Sequence, residues 1–263
     1  MGSICVSFAQ NCLKNFKAYI KSKTMKKLIK VTLLVFLIFG ISSCMFDGVK
    51  GDGNVVINKR KISNDFVRIN ASRGLDIYIT KSKHTSLEVE ADENLQELIT
   101  TEVRDGTLHI TATKNIWGSS TKKVHVSADF INEIKVSSGA EVYSENTFSS
   151  DTLVINASSG AHANMDLIVG DLRCEGSSGS GMKLTGEAVD FSVSTSSGSN
   201  IDAYRLSARN CDANATSGSN IKVMVTETFV AKATSGAGIN YKGHPKHAEK
   251  SKNSGGSINS TEG

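Results

Sequence analysis

From Ser137 to the C-terminus, apolar and polar residues alternate with a period of two, inside a longer beat of about 20 residues. Seven glycines mark that beat, at Gly139, Gly160, Gly179, Gly198, Gly218, Gly236 and Gly255, each written after serine as SSG, TSG or NSG. Their spacings are 21, 19, 19, 20, 18 and 19 residues. Three residues after each glycine stands an apolar side chain: Val142, Ala163, Met182, Ile201, Ile221, Ile239 and Ile258. Seven, five and three residues before it the chain places sets such as Leu153, Ile155 and Ala157, or Phe229, Ala231 and Ala233. These positions predict strands with one buried face. The positions five and seven after the glycine are looser, the latter including Gly186, Arg205 and Gly243. Two after it, Glu141, His162, Gly181, Asn200, Asn220, Gly238 and Ser257 share no chemistry, as expected of an outward face.

Each repeat therefore predicts two strand segments, joined at the S-S-G corner and at a second turn about eight residues before the next glycine. One such unit cannot bury its apolar face alone. Units stacked about 4.8 Å apart bury a continuous core and pair their backbones from rung to rung. The expected fold is all-β, a parallel β-helix or β-solenoid with rungs of 19–20 residues over 136–263. Glycine supplies backbone freedom at the corner, and the small serines and threonines stack beside it. In the last repeat the inward series becomes Ala248, Lys250 and Lys252, which reads as a C-terminal cap.

Residues 51–135 are also strand-rich but less regular. "NVVIN" (54–58), "FVRIN" (66–70), "LDIYIT" (75–80), "SLEVEA" (86–91), "TLHITAT" (107–113) and "KKVHVS" (122–127) alternate well. Asp105-Gly106 signals a hairpin, and "DENLQELI" (92–99) has room for one helical turn. "SRGLDI" (72–77) resembles a degenerate corner, so this half is either an irregular start of the solenoid or a small β domain packed on its end.

Composition agrees with many short strands and tight turns: one proline, 23 glycines and 6% aromatic residues in a chain of 263. The formal charge of +4 is misleading. Residues 1–43 hold seven lysines and no acid, leaving twenty-three basic against twenty-six acidic side chains, which excludes nucleic acid as the expected partner. Within that head, Met25, Lys26, Lys27 and Lys30 precede an eleven-residue apolar run from Val31 to Ile41. Such a run is too short for a bilayer, which needs about 20 residues, but fits a signal-peptide core. "ISSC" (41–44) then resembles a bacterial lipobox, with Ile41 and Ser43 as variants of its commonest form. The expected organisation is an upstream extension (1–24), a lipoprotein signal peptide (25–43) and a linker (44–50). Cys44 is the expected lipid-attachment residue and the membrane its partner.

The stretches "GDGNVVINKRKISNDFVRINASRGLDIYIT" (51–80) and "SLEVEADENLQELITTEVRDGTLHI" (86–110), with the serial S-S-G corners, resemble the head GIN domain family of putative auto-transporter adhesins. The resemblance covers about 51–260. It implies a right-handed β-helix in a lipoprotein or secreted protein of the Bacteroidetes group, exported and lipid-anchored in the cell envelope, at the periplasmic or surface face of the outer membrane. It also implies an adhesin-like module that binds a glycan or protein surface and has no catalytic motif. A structural or stress-linked envelope component is the alternative, and a carbohydrate-active enzyme a third reading.

Candidate chemistry is sparse, and we expect no catalytic, metal-binding or cofactor-binding residues. Glycoside cleavage needs two carboxylates roughly 5–10 Å apart. Asp171 and Asp190 fall at one phase, but Thr152, Asn210 and Thr228 share it, and these are turn residues. His244 and His247 straddle Pro245 in a solvated tail, and His84, His109 and His125 read as strand residues. Trp117, the only tryptophan, reads as an anchor at the junction of the two halves ahead of a sugar-stacking platform. Cys174 and Cys211 lie two rungs apart, roughly 10 Å along the axis, beyond the reach of a disulfide, and read as small core residues. Lipidation has a direct test: metabolic labelling with a palmitate analogue is expected to mark the wild type and miss Cys44→Ala. Equal labelling of both removes the anchor.

Overall fold

The computed structural model describes residues 48–63 and 65–261, so the proposed extension, signal peptide and Cys44 lie outside the described residues. Val49–Gly263 forms one compact unit. Its first half carries β1 (Gly48–Lys50), β2 (Val55–Lys59), β3 (Arg68–Ala71), β4 (Asp76–Lys81), β5 (Ser86–Asp92), β6 (Ile99–Arg104), β7 (Thr107–Ala112), β8 (Asn115–Gly118) and β9 (Lys122–Ala128). A single 3₁₀ turn, Glu93–Leu95, occupies the segment with room for a helical turn. The second half carries β10 (Glu133–Val136), β11 (Glu141–Ser144), β12 (Phe148–Ala157), β13 (His162–Gly176), β14 (Gly181–Thr195), β15 (Asn200–Ala215), β16 (Asn220–Ala233), β17 (Gly238–Lys242), β18 (His247–Lys252) and β19 (Ser257–Ser260).

From β10 onward every ladder is parallel and joins one rung to the next, giving a β-solenoid of about seven turns. The inward positions read from the repeat are buried up to the last turn: Ile201, Ile221 and Ile239 are wholly enclosed, as are Leu153, Leu172 and Phe229, while Ile258 is half-buried. The corner contains more than the sequence indicates. Not only glycine but the serine before it is left-handed, with φ between 48° and 54° at Ser138, Ser159, Ser178, Ser197, Ser217, Ser235 and Ser254, and between 68° and 78° at the glycines. Two positive φ angles in succession, closed by Ala140 N–H to Ser137 C=O at 3.1 Å, have the form of a type I′ turn. Each left-handed serine carbonyl then accepts from the glycine N–H of the preceding rung, as Ser159 accepts from Gly139 at 3.1 Å. Glycine's freedom is thus half of the corner; the serine carbonyl that continues the ladder is the other half.

Just after the corner lies a buried position missed by the periodicity: Ala140, Ala161, Ser180, Ser199, Ser219 and Ala237. Its serines are admitted because their hydroxyls are satisfied. The single Ser199 O–H is shared between the carbonyls of Gly176 (2.8 Å) and Ser196 (2.9 Å), and Ser219 Oγ bonds the Thr195 hydroxyl at 2.8 Å. Unequal rung lengths are absorbed away from the corner. Between β15 and β16 the register jumps from Ala203↔Val223 to Ser207↔Met224, so Tyr204, Arg205 and Leu206 bulge. Arg205 consequently points outward and Leu206, one residue later, fills the core.

The first half both continues the solenoid and closes it. Arg73 and Gly74 repeat the left-handed pair (φ 62° and 69°), and Gly74 N–H bonds Ser138 C=O at 3.0 Å, so "SRGL" is a stacked corner. β3 pairs in parallel with β10, and β4 with β11, forming one more rung. Beneath them β7 and β9 continue in parallel, while antiparallel β6–β7, β5–β9 and β2–β5 fold over the end. The hairpin at Asp105-Gly106 forms with φ of 50° and 68°. Asp92 ties this end together: it is buried and accepts from the N–H groups of Gly53 (3.1 Å), Ser120 (3.0 Å) and Thr121 (3.2 Å). Burial pushes its carboxyl up, but those amides outweigh it and hold it below the usual carboxylate range. At the other end β18 is exposed along its length, with Lys250 Nζ donating to the Tyr241 hydroxyl at 3.0 Å.

Two outcomes follow for stability. Ile201→Asp and Ile221→Asp each bury an unpaired charge and are expected to cost more than about 4 kcal/mol, whereas Asn200→Asp and Asn220→Asp, on the outward face, leave the thermal melt nearly unchanged; the reverse order sinks the assigned phase. For Asp92, a folded pKa below the unfolded value of about 3.9 means that its contribution is complete above that value and is lost as pH falls through the folded one. Asp92→Asn is therefore expected to melt below wild type at pH 7, with the gap closing as both are acidified below about pH 4. A gap independent of pH removes the carboxylate's role.

Candidate functional site

The outward face built by β9, β4, β11 and the first segments of β13–β15 concentrates the chemistry of the chain. Parallel pairing brings residues at one phase into rows. One row runs Lys123, Asp76, Glu141, His162, Gly181, Asn200; beside it runs His125, Tyr78, Tyr143, Asn164, Lys183, Asp202. Because strands stack closely, the aromatic members of the second row meet face to face. Tyr78 stacks on His125 with centroids 5.3 Å apart and on Tyr143 at 5.1 Å, with interplanar angles of 22° and 17°. Tyr78 is covered on both sides. The second face of Tyr143 is turned along the axis, toward Asn164.

Carboxylates flank this stack and are largely engaged. Glu90 reaches His125 Nε2 at 3.2 Å and Lys123 Nζ at 3.6 Å, and Glu145 lies 3.7 Å from His125 Nδ1. The Tyr143 hydroxyl donates to Glu141, and that bond, aided by burial, raises the phenol above the ordinary tyrosine range. Asp76 is pushed up by burial; the ammonium of Lys122 opposes the shift and the neighbouring Glu141 adds to it.

Beyond Tyr143 the face opens into a groove of about 590 Å³, bordered by Tyr143, His162, Asn164, Lys183, Asn200 and Asp202. Gly181 forms its floor. Its backbone is ordinary strand, so no conformational demand calls for glycine there; a Cβ at Gly181 meets His162 Nδ1 at 2.5 Å. The missing side chain makes room for the His162 ring, which lies over this strand. Asp202 is occupied by Lys222 Nζ (3.3 Å) and the Tyr204 N–H (3.2 Å), so Lys183, its neighbour in the row, has no carboxylate partner among the described residues.

The positions singled out by sequence lie elsewhere. Asp171 and Asp190 do stack in register, with Thr152, Asn210 and Thr228, but the expected turn there is absent: all five lie within the continuous strands β12–β16, and Asn210 Nδ2 bonds Asp190 at 2.8 Å. They border only a shallow hollow of about 200 Å³. The anchor reading of Trp117 fails: the residue is 70% exposed, because Ile116 takes the inward phase of β8 and packs on the core. Cys174 and Cys211 are free, buried thiols, pushed up in pKa by burial. His244 and His247 occupy the last turns, and no group of three or more His, Cys, Asp or Glu suited to a metal occurs among the described residues. The aromatic row escaped notice because Gly74 has to be counted as the first register mark before Tyr78 and Tyr143 fall four residues after their glycines.

Comparison with known proteins places this fold. The solenoid is similar to the crystal structure of a "putative adhesin" from Bacteroides fragilis, with a TM-score of 0.76 and 24% identity over 81% of this chain and 100% of that one. It is also similar to a "putative adhesin" from Parabacteroides merdae (TM-score 0.67, 20% identity, 82% and 100% covered) and to a "putative lipid binding protein" from Parabacteroides distasonis (0.66, 22%, 81% and 99%). At these identities the likeness is one of fold. Among curated proteins none matches. A family model described as "Putative auto-transporter adhesin, head GIN domain" matches residues 65–245, from the first stacked rung to the last turns, and the chain belongs to that family.

Proposed function

We propose that this protein is a non-catalytic, adhesin-like binding module of the cell envelope, held at the outer membrane through acyl groups on Cys44 and presenting the outward face of β4, β11 and β13–β15 to its partner. The observation that carries this reading is the groove at the end of the aromatic stack, set in a fold whose family is adhesin-like and so belongs to an extracellular or envelope setting. Stacked parallel strands give a long rigid platform, and side chains in register form contact rows without ordering any loop, so little conformational entropy is lost on binding. One acyl chain holds a protein only marginally, whereas the two or three on a lipoprotein cysteine fix it durably. Carboxylates arranged as this face arranges them, hydrogen-bonded or ion-paired, suit recognition better than proton transfer.

The fragment 49–263, a single compact unit, is expected to retain a defined subset of a glycan and matrix-protein array, and to lose it in Tyr143→Ala. It is also expected to leave polygalacturonate and alginate uncleaved. An array with no retained ligand favours a structural envelope component instead. Reducing-end release that disappears in the Asp171→Asn, Asp190→Asn double variant makes the protein an enzyme.

A further inference from the structure

The groove beyond Tyr143 has a composition that narrows its ligand. We propose that it is a subsite for one carboxylate-bearing sugar residue of a glycan, an inference that rests on the binding-module reading above. Three features point there together. First, Tyr143 closes one end with an aromatic face that no neighbouring ring covers, the surface on which the apolar side of a pyranose packs. Second, the absent side chain at Gly181 lets the His162 ring lie over that strand, where a Cβ would come within 2.5 Å of its Nδ1, so the imidazole borders the same groove as Asn164, Lys183 and Asn200. Third, the polar groups divide unequally. The carboxylates at the rim are taken, Glu141 by the Tyr143 hydroxyl and Asp202 by Lys222 and the Tyr204 N–H. The Lys183 ammonium, the His162 ring and the amides of Asn164 and Asn200 are not taken by any side chain among the described residues.

A site whose unengaged groups are one ammonium, one imidazole and two amides asks for an anion that also carries hydroxyls. The ammonium and imidazole meet a single carboxylate, and each amide offers both a donor and an acceptor to vicinal hydroxyls. A phosphate group carries more charge than one lysine balances, and its recognition draws on arginine clusters that this groove lacks. An apolar ligand finds little here besides the Tyr143 ring.

Titration calorimetry of fragment 49–263 with trigalacturonate and sialyllactose, against their neutral counterparts galactotriose and lactose, tests the assignment. At least one acidic sugar is expected to bind, at least tenfold more tightly than its neutral counterpart. Lys183→Gln, on the exposed face, is expected to erase that preference, with a loss of about tenfold or more in acidic-sugar affinity. Gly181→Leu drives the His162 ring off this strand and into the groove and is expected to abolish binding of acidic and neutral sugars alike, while the fragment still unfolds cooperatively. Acidic-sugar binding unaltered by both variants overturns this site and leaves the module intact, as does binding of no sugar while an array ligand is still retained. Sugar binding without acidic preference overturns the ligand class. Absence of any ligand, on the array or in titration, overturns the site and the binding-module reading together.

Discussion

The rest of the structure depends on the hydrogen bond between a corner glycine N–H and the carbonyl of the left-handed serine one rung further on. Holding a non-glycine residue in the left-handed region costs about 1–2 kcal/mol, and the chain does this at Ser138 and at six further serines. Two bonds per corner, each with a net value of about 1 kcal/mol, offset that cost: one closes the turn and one joins neighbouring rungs. The larger gain is indirect. With the corner ladder unbroken from Gly74 to Ser254, every strand that leaves a corner starts in the same phase, so the side chains of successive rungs arrive inside or outside together.

Phase coherence explains both interior and surface. Inside, Ile201, Ile221 and Ile239 stack as one column, and serines can occupy the adjoining column only because a corner carbonyl, hydroxyl or amide N–H lies within reach of each. Outside, the same coherence turns isolated residues into rows. His125, Tyr78 and Tyr143 are separated by 47 and 65 positions along the chain, yet they form one stack because β9, β4 and β11 are paired in register. Rung-length variation does not disturb this, since the extra residues of the 20-residue rung bulge at Tyr204–Leu206, away from the corner.

Regularity also makes an omission informative. In the row through Glu141, His162 and Asn200, Gly181 is a missing side chain on an ordinary strand backbone, so its effect is the room it gives the His162 ring. A ligand in the groove beside that ring meets groups that the surrounding pairs have left over. At the N-terminal end the arrangement differs, because the antiparallel strands over β7 and β9 cover the column of apolar side chains, and Asp92 fastens the covering strands through backbone amides.

The alternation of period two inside a beat of about 20 residues determined by itself that strands stack as rungs, which positions face inward, and where the corner falls, since each is a local property of backbone and hydropathy. The aromatic row depends on tertiary structure, because only the pairing of β4 with β11 brings Tyr78 against Tyr143. The intervening segment spends its strands on antiparallel hairpins, so counting along the chain cannot carry the phase of Asp76 and Tyr78 across to Glu141 and Tyr143. The left-handed serine was equally hidden, because its φ is imposed by the rung it must bond to and not by its own preference. Trp117 shows the limit from the other side: hydropathy places a large ring inside, but the inward phase of β8 belongs to Ile116 and Gly118, and Trp117 falls between them on the outward phase. Local pattern thus settled the rung, and long-range pairing alone decided which outward side chains meet, because register between distant strands is fixed by the shared corner ladder and not by any residue's immediate neighbours.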